Sequence, residues 1–264
     1  SFITNIPAFI SDKAINLNQL LNAIKYNYSV IVIPDFLFKN MKIEDDHYVK
    51  IEVEEEMVLD IRSEWIRLED YISDLRKKYR SKVKNIIKQT SDLEIRSLGT
   101  DDLEEYAFDM QELFKQVVTS SRFKGAEFNT GSFVSFVSKG FMRVNGYFLN
   151  DKLVGFSSEM QTEKTLYSYF VGFDKNLNKS VPIYGRILLE NINTAIKQRK
   201  QRLILGRTAN EYKSNFGAFP IKSYVYLKVR NKFLRAILTP LYSKLSINKW
   251  EQRRPFRSKT HPIK

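Results

Sequence analysis

The sequence predicts an α+β protein, built from a mixed, mostly antiparallel twisted sheet flanked by helices. Three strands follow one another at residues 142–149, 153–162 and 165–173, with only tight turns between them. Stretches with apolar residues at helical spacing lie before and after these strands. This order of elements occurs in neither a doubly wound nucleotide fold nor a barrel, so both are excluded.

The first 90 residues predict an incomplete α/β half. Apolar patterns indicate a helix at 17–25, a buried strand at 29–36 and one or two strands at 47–61. A long helix at 68–89 follows. Glu69 and Asp70 lie in its first turn and Lys84 and Lys88 near its end, an arrangement that complements the helix dipole.

Residues 91–230 predict a complete domain, and residues 231–264 a basic amphipathic tail. Before the three strands we expect a strand at 93–98, a helix at 100–118 capped by Thr100 and a short helix at 131–138. After them we expect a helix at 182–199, a strand at 202–206, a short helix at 209–216 and a final strand at 223–229. The pairs Asn150-Asp151 and Glu163-Lys164 provide the turns between the three strands.

The composition of the 264-residue chain limits its chemistry. Hydrophobic residues make up 43%, which is ample for a substantial core. The absence of cysteine excludes disulfides, thiolate metal sites and cysteine nucleophiles. The two histidines, His47 and His261, lack partners at metal-ligand spacing, so we expect no metal. Proton transfer is left to carboxylates, tyrosines, lysines, backbone or water.

The net charge of +13 favours an anionic partner, such as cofactor phosphates, RNA or an acidic membrane surface. No apolar run approaches the length needed to cross a bilayer, and the N-terminus shows no signal-peptide pattern. We therefore expect a cytoplasmic protein, with peripheral contact to an anionic membrane as a further option.

Three stretches of the sequence resemble a known family. They are WIRLEDYISDLRKKYRSKVKNI at 65–86, YFVGFDKNLNKSVPIYGRILLENINTAIKQ at 169–198 and LILGRTANEYKSNFGAFP at 203–220. The chain resembles the GNAT-superfamily acyltransferases, in particular their Fem-like, peptidoglycan-bridge-type branch. The resemblance implies the acyl-CoA N-acyltransferase fold. It also implies transfer of an acyl or aminoacyl group from a thioester or ester donor to an amine, as on a cell-wall precursor or an amino sugar.

One departure from the family pattern concerns the donor. Ordinary acetyltransferases place a Gln/Arg-x-x-Gly-x-Gly/Ala loop against the coenzyme A pyrophosphate, whereas the matching loop at 174–184 contains no glycine. Fem-like relatives that use aminoacyl-tRNA also depart from that loop. Acyl-coenzyme A and aminoacyl-tRNA therefore both remain open as donors.

The expected donor site is the loop that leads into the helix at 182–199. Free amides at a helix N-terminus bind phosphates readily, although a solvated Lys/Asn-rich loop before an ordinary helix is the alternative. The residues expected to contact the donor are Phe173, Asp174, Lys175, Lys179, Ser180, Tyr184, Gly185 and Arg186. The site requires the strand that ends at Phe173 to part from the strand that contains Leu205.

Glu159 is the leading candidate for a general base or an amine-positioning group. Strand alternation places Glu159 on one face of the strand with Ser157. A carboxylate in the middle of a strand is unusual unless its face lines a cleft, which is why Glu159 is a candidate. The opposite face would hold Val154, Phe156, Ser158 and Met160. A solvent-facing glutamate is the alternative for Glu159. Tyr169 is a candidate for contact with substrate or leaving group, against ordinary core packing.

The stretch Gly206 to Lys213 supplies the remaining catalytic candidates, which are Arg207, Glu211 and Lys213. By family resemblance we expect Arg207 to bind a carboxylate or phosphate through two hydrogen bonds and Lys213 to act as a point charge. The alternative is structural: Thr208 caps the short helix and Arg207 pairs with Glu211 at helical spacing.

A second function class is a non-catalytic module that binds RNA or an anionic membrane through a basic surface. The basic residues around the long helix are Arg76, Lys77, Lys78, Arg80, Lys82, Lys84 and Lys88. Such a run of charges is usually a solvated helix face. The alternative is that these residues bind the phosphates of tRNA. The apolar and basic tail either docks on the body or lies on a membrane.

Overall fold

The computed structural model describes residues 29–34, 48–119, 129–231, 233–236 and 250–257. The predicted helix at 17–25, the end of the strand at 29–36, both histidines and most of the predicted tail lie outside the described residues. The described strands are β1 (Val30–Pro34), β2 (Tyr48–Asp60), β3 (Glu94–Leu98), β4 (Arg143–Leu149), β5 (Lys152–Gln161), β6 (Thr165–Phe173), β7 (Arg202–Gly206) and β8 (Phe219–Val229).

These eight strands form one sheet in the order β1-β8-β2-β7-β6-β5-β4-β3. Every neighbouring pair is antiparallel except β6 and β7, which are parallel. The first two strands come from the predicted N-terminal half and pair with β8 and β7, so both predicted segments contribute to the same sheet.

The described α-helices are α1 (Leu68–Asp74), α2 (Lys77–Gln89), α3 (Thr100–Glu105), α4 (Ala107–Thr119), α5 (Phe133–Ser138), α6 (Ile183–Lys197) and α7 (Asn210–Ser214). A core of α3, α4 and α5 against the sheet contains Phe114, Phe148 and Phe156. A second core of α1, α2 and α6 contains Ile86, Ile192 and Leu203. Neighbouring residues of β4 and β5 point to opposite faces and join different cores, one with α3 to α5 and one with α6. The helices therefore cover both sides of the sheet.

The predicted long helix at 68–89 is interrupted, so that prediction was wrong at its centre. Leu75 and Arg76 adopt extended backbone angles between α1 and α2. The reason is a distant segment: Leu75 forms a β-bridge with Phe256, and the Arg76 amide donates to the Pro255 carbonyl at 2.8 Å. Apolar periodicity continues across the break and gives no sign of it.

The predicted helix at 100–118 also divides, at Tyr106, into α3 and α4. Gly99, rather than Thr100, takes the N-cap position, and its amide donates to the Asp102 carboxylate at 2.8 Å. The turn at Asn150-Asp151 is confirmed, because both residues have the positive φ angles of a tight hairpin turn.

A β-bulge changes the predicted faces of β5. Tyr147 pairs with Gly155 and Phe148 with Leu153, which leaves Val154 as the extra residue. Val154 therefore packs with Ile183 and Ile187 of α6, on the face opposite Phe156. The prediction that Val154 and Phe156 share a face was wrong because one extra residue reverses the alternation.

Candidate functional site

Strands β6 and β7 separate towards their carboxyl ends. Their parallel pairing covers only three residues of each strand, ending at Tyr167 and Ile204. Beyond this point β6 stays with β5 as far as Phe173, whereas β7 stays with β2 as far as Gly206. The predicted parting of the Phe173 strand from Leu205 is thus present. Crevices outside the carboxyl ends of parallel strands are common ligand sites, and we call this one the notch.

The loop from β6 to α6 uses its own amides. The Asp174 carboxylate accepts hydrogen bonds from the amides of Asn176 and Leu177, both at 2.9 Å. The Lys175 amide donates to the Gln116 side chain at 3.0 Å. The amides of 178, 179, 180 and 181 donate to carbonyls within the same loop. This turn is closed on itself, so these amides are engaged before any ligand arrives.

The first turn of α6 is similarly engaged. The Ile183 amide donates to the Val181 carbonyl, and the Tyr184 amide donates to the Asn178 side chain at 2.8 Å. Gly185 is buried, and a methyl group at that position would lie 2.8 Å from the Tyr212 hydroxyl oxygen. Glycine at 185 therefore lets the Tyr212 side chain of α7 reach this helix end.

Aromatic rings cover the helix end. The Tyr184 ring stacks between Phe173, at 5.4 Å between centroids, and Tyr212, at 5.5 Å. Arg186 pairs with Glu190 at 2.8 Å, one turn further along α6. Of the residues predicted to contact the donor, Asp174, Tyr184 and Arg186 have side chains with internal partners, and Gly185 is closely packed. Lys179 and Ser180 are exposed, Lys175 is half-buried, and the Ser180 hydroxyl donates to the Leu177 carbonyl at 3.1 Å.

Coenzyme A fits this loop poorly. Its pyrophosphate needs several free amides at a helix start. Here the amides of residues 174–181, 183 and 184 all donate to protein acceptors. The engaged amides give a structural reason for the missing glycines, because no backbone has to approach a phosphate closely.

On the other side of the notch, the chain leaves β7 through a strained turn. Gly206, Thr208 and Ala209 all have positive φ angles, of 71°, 67° and 50°. Left-handed backbone at two non-glycine residues costs free energy and occurs mainly where the surroundings enforce it, often at functional sites. Because Thr208 is left-handed and Ala209 takes the N-cap position, the suggested Thr208 cap does not form.

This turn is held by Lys213, which lies in α7 and is 3% exposed. The Lys213 Nζ donates to the Arg207 carbonyl at 2.7 Å and to the Gly206 carbonyl at 3.2 Å. Burial lowers the pKa of Lys213 to about 7, although the nearby charges of Glu54 and Glu56 act in the opposite direction. A lysine of this kind exchanges a proton near neutral pH.

Glu159 lies beneath α6, not in an open cleft. It is 2% exposed, pairs with Arg143 and accepts a hydrogen bond from the Asn191 side chain at 2.8 Å. Arg143 also donates to the Thr194 hydroxyl at 3.2 Å. The predicted solvent-facing alternative for Glu159 is therefore wrong, and its observed contacts join β4, β5 and α6.

Tyr169 lies at a second bulge, in β6. Two residues of β6, Tyr169 and Phe170, lie opposite the single residue Ser158 of β5. The Ser158 hydroxyl accepts from the Phe170 amide at 2.8 Å and donates to the Phe170 carbonyl at 3.1 Å, which fixes the bulge. The Tyr169 ring packs on Phe170 at 4.3 Å and is half-buried. Bulges often adjoin functional sites because they re-aim side chains.

Glu211 is exposed and pairs with Arg253, a residue 42 positions further along the chain. The suggested pairing of Glu211 with Arg207 is therefore not the one seen. Arg207 itself is half-buried beside the strained turn. Sequence reasoning missed Ser158, Asn178 and Asn191; of these, Asn191 had a signal, because it is a polar residue within the apolar stripe of α6.

No group of three or more potential metal ligands occurs among the described residues. None of the described helices has the length and apolar character required of a membrane span.

No protein-family model matches the sequence, and no curated protein matches it. Solved structures do match. L-PGS from Bacillus licheniformis is 12% identical with a TM-score of 0.54, covering 86% of this chain and 77% of that one. FemX is 9% identical with a TM-score of 0.52, covering 74% of this chain and 66% of that one. The chain has the GNAT fold.

A conserved protein of unknown function from Bacteroides thetaiotaomicron also matches, at 14% identity and a TM-score of 0.52. That match covers 70% of this chain and 64% of the other, so the chain spans just under two thirds of that protein. In the GNAT fold of the present chain, the notch lies where β6 and β7 part, between the closed loop and the strained turn.

Proposed function

We propose that the chain is an acyltransferase that moves an acyl or aminoacyl group from an ester or thioester donor to an amine, with both substrates bound at the notch. The observation that carries this proposal is the separation of β6 and β7 directly beside the buried amine of Lys213. The fold shared with L-PGS and FemX supports it.

The closed loop favours an ester donor on RNA over acyl-coenzyme A. Coenzyme A would require the amides of this loop, which the protein already uses. An aminoacyl ester on RNA makes no such demand, because basic side chains elsewhere can hold its phosphates.

The proposed reaction forms a C–N bond and breaks the ester C–O bond of the donor. The acceptor nitrogen attacks the carbonyl carbon, loses a proton, and the leaving oxygen gains one. Neutral Lys213 donates its two N–H groups to the carbonyls of Gly206 and Arg207, so its lone pair is left to accept the proton and pass it on. Lys213 thereby acts as the proton carrier.

The other candidates have supporting roles in this proposal. Arg207 binds a negatively charged group of a substrate, and Tyr169 contacts the acceptor from β6. Glu159 is a positioning residue that acts through Arg143 and Asn191, and Glu211 positions α7 through Arg253. The carboxylates of Glu54 and Glu56, whose charges act on Lys213, would attract a cationic amine such as an amino sugar or a cell-wall precursor.

The test is transfer to a panel of amines from two donors, aminoacyl-RNA and acyl-coenzyme A, by the protein and its Lys213→Met variant. We expect turnover with the RNA ester, rising with pH through about 7 as Lys213 loses its proton. Removing a proton carrier lowers such rates by about 100- to 10,000-fold.

Lys152→Met, which changes an exposed lysine at the first residue of β5, is the matched control and should retain full turnover. Glu159→Gln and Arg207→Ala should reduce turnover less than Lys213→Met. Full activity in Lys213→Met, or a pH profile that it shares with the unchanged protein, would rule out the proposed role of Lys213.

A further inference from the structure

Helix α2 carries a charge pattern that opposes helix stability. Its sequence, KKYRSKVKNIIKQ, contains six basic residues and no acidic one. Lys77 and Lys78 occupy the first turn, where the helix dipole disfavours positive charge. Lys78 and Lys82 are four residues apart, as are Lys84 and Lys88, and like charges at this spacing repel.

No ion pair within the described chain neutralises the charges of the α2 lysines. Lys77, Lys78, Lys82, Lys84 and Lys88 are exposed, and none of them forms an ion pair with another described residue. Burial lowers the pKa of Lys82, and the positive charges of Lys78 and Arg253 lower it further, whereas the negative charge of Glu211 raises it. We call these five lysines the α2 basic surface. A helix whose like charges repel one another, with no ion pairs in the described chain to offset the repulsion, indicates an external partner of opposite charge.

The α2 basic surface adjoins the notch. The Lys82 Nζ lies 5.0 Å from the centre of the Tyr212 ring, and Tyr212 precedes Lys213 in α7. At 1.5 Å per residue, the helix from Lys77 to Lys88 spans roughly 16 Å, which is enough to contact several phosphates of one strand. A polyanion lying along α2 would therefore pass close to the candidate proton carrier.

The chemistry of this surface suits nucleic acid better than a membrane. Membrane-binding helices place large apolar side chains among their basic residues. The exposed large hydrophobic residues of the described chain are Val32, Ile66, Phe108, Phe141, Ile221 and Phe233, and none of them lies on α2. The exposed positions between the lysines are polar, at Ser81, Asn85 and Gln89.

From this geometry we infer that α2 is the RNA-docking surface of the protein, holding a single strand by its phosphates so that its 3′ end reaches the notch. This assignment rests on the proposed function in one respect, since it makes RNA the carrier of the donated group. The sequence of the RNA plays no part, because lysine contacts to phosphates carry no base information.

The test measures binding of a short fluorescent single-stranded RNA to the full chain as salt is raised. The variant is Lys78→Gln/Lys82→Gln/Lys84→Gln, and the matched control is Lys139→Gln/Lys152→Gln/Lys164→Gln, which removes three exposed lysines elsewhere. Each lost phosphate contact lowers the slope of log affinity against log salt by about 0.7 for a single strand, so the α2 variant should lose about 2 and the control nothing.

Equal losses in the two triple variants would overturn the assignment, because binding would then follow net charge alone. Binding to vesicles of phosphatidylglycerol and phosphatidylcholine provides a second readout. If the α2 variant loses vesicle binding and keeps RNA binding, the surface is a membrane contact and the RNA assignment fails. RNA binding requires no turnover, so a protein that binds RNA through α2 and transfers nothing would refute only the proposed function.

Discussion

Among the described lysines, Lys213 has the surroundings that differ most from those of an exposed lysine. Its amine is buried, holds two backbone carbonyls of a strained turn and lies near the charges of Glu54 and Glu56. The sequence singled out Lys213 by family resemblance alone. Nothing local predicts its surroundings, because the carboxylates near it, Glu54 and Glu56, come from β2, 159 and 157 residues earlier in the chain.

The buried amine makes stability depend on pH in a definite direction. The pKa of Lys213 is about 7 in the folded protein, against 10.5 for an ordinary lysine. Between these two values the unfolded chain binds a proton that the folded chain has released, so the free energy of unfolding rises with pH. Below about pH 7 both states are protonated and the full cost of burial remains.

Lys213→Met removes this dependence. We expect the stability difference, unchanged protein minus variant, to increase by roughly 4 kcal/mol from pH 7 to pH 10.5. Urea unfolding at a series of pH values measures it, with Lys152→Met as the exposed control. A difference that stays constant over this range would contradict a depressed Lys213 pKa.

For the helices and strands, local sequence pattern is sufficient to predict some bounds and contacts and insufficient for others. The strands β6 and β7 have the predicted bounds, because alternation and turn residues lie within the strands and beside them. The break between α1 and α2 and the pairing of Glu211 were not predictable, since their causes lie in residues 250–257. Likewise, the engaged amides at the start of α6 depend on Asn178, whose role only the folded loop defines.

The ring of Phe256 packs the segment 250–257 against the core, and hydrogen bonds from Trp250, Gln252 and Arg253 add to this contact. The Phe256 ring lies 5.6 Å from the Trp65 ring and 6.0 Å from the Tyr71 ring, and a methyl group at Gly217 would overlap it. Phe256→Ala should lower the free energy of unfolding by about 2–3 kcal/mol. Phe233→Ala, at a ring that is 84% exposed, is the control and should change it by less than about 0.5 kcal/mol. Urea unfolding of both variants distinguishes a docked segment from a loosely attached one.

At the scale of the whole molecule, the net charge of +13 sets the response to salt. Self-repulsion of a highly charged chain opposes the compact state, and salt screens it over about 10 Å at 0.1 M. The α2 basic surface concentrates this repulsion on a single helix.

We therefore expect the melting temperature to rise as sodium chloride is added, with a smaller rise for Lys78→Gln/Lys82→Gln/Lys84→Gln than for the triple control at 139, 152 and 164. Thermal unfolding followed by circular dichroism measures both. A melting temperature that falls with salt would show that attractive ion pairs, such as Arg143 with Glu159, outweigh the repulsion.

The bridge between Leu75 and Phe256 also has a consequence for biosynthesis. A ribosome makes residues 68–89 long before residue 256, so the nascent chain has no partner that would interrupt its apolar period. The growing polypeptide can therefore wind this stretch as one uninterrupted helix. The contacts of Leu75 and Arg76 with residues 255 and 256 can form only after those residues have been made.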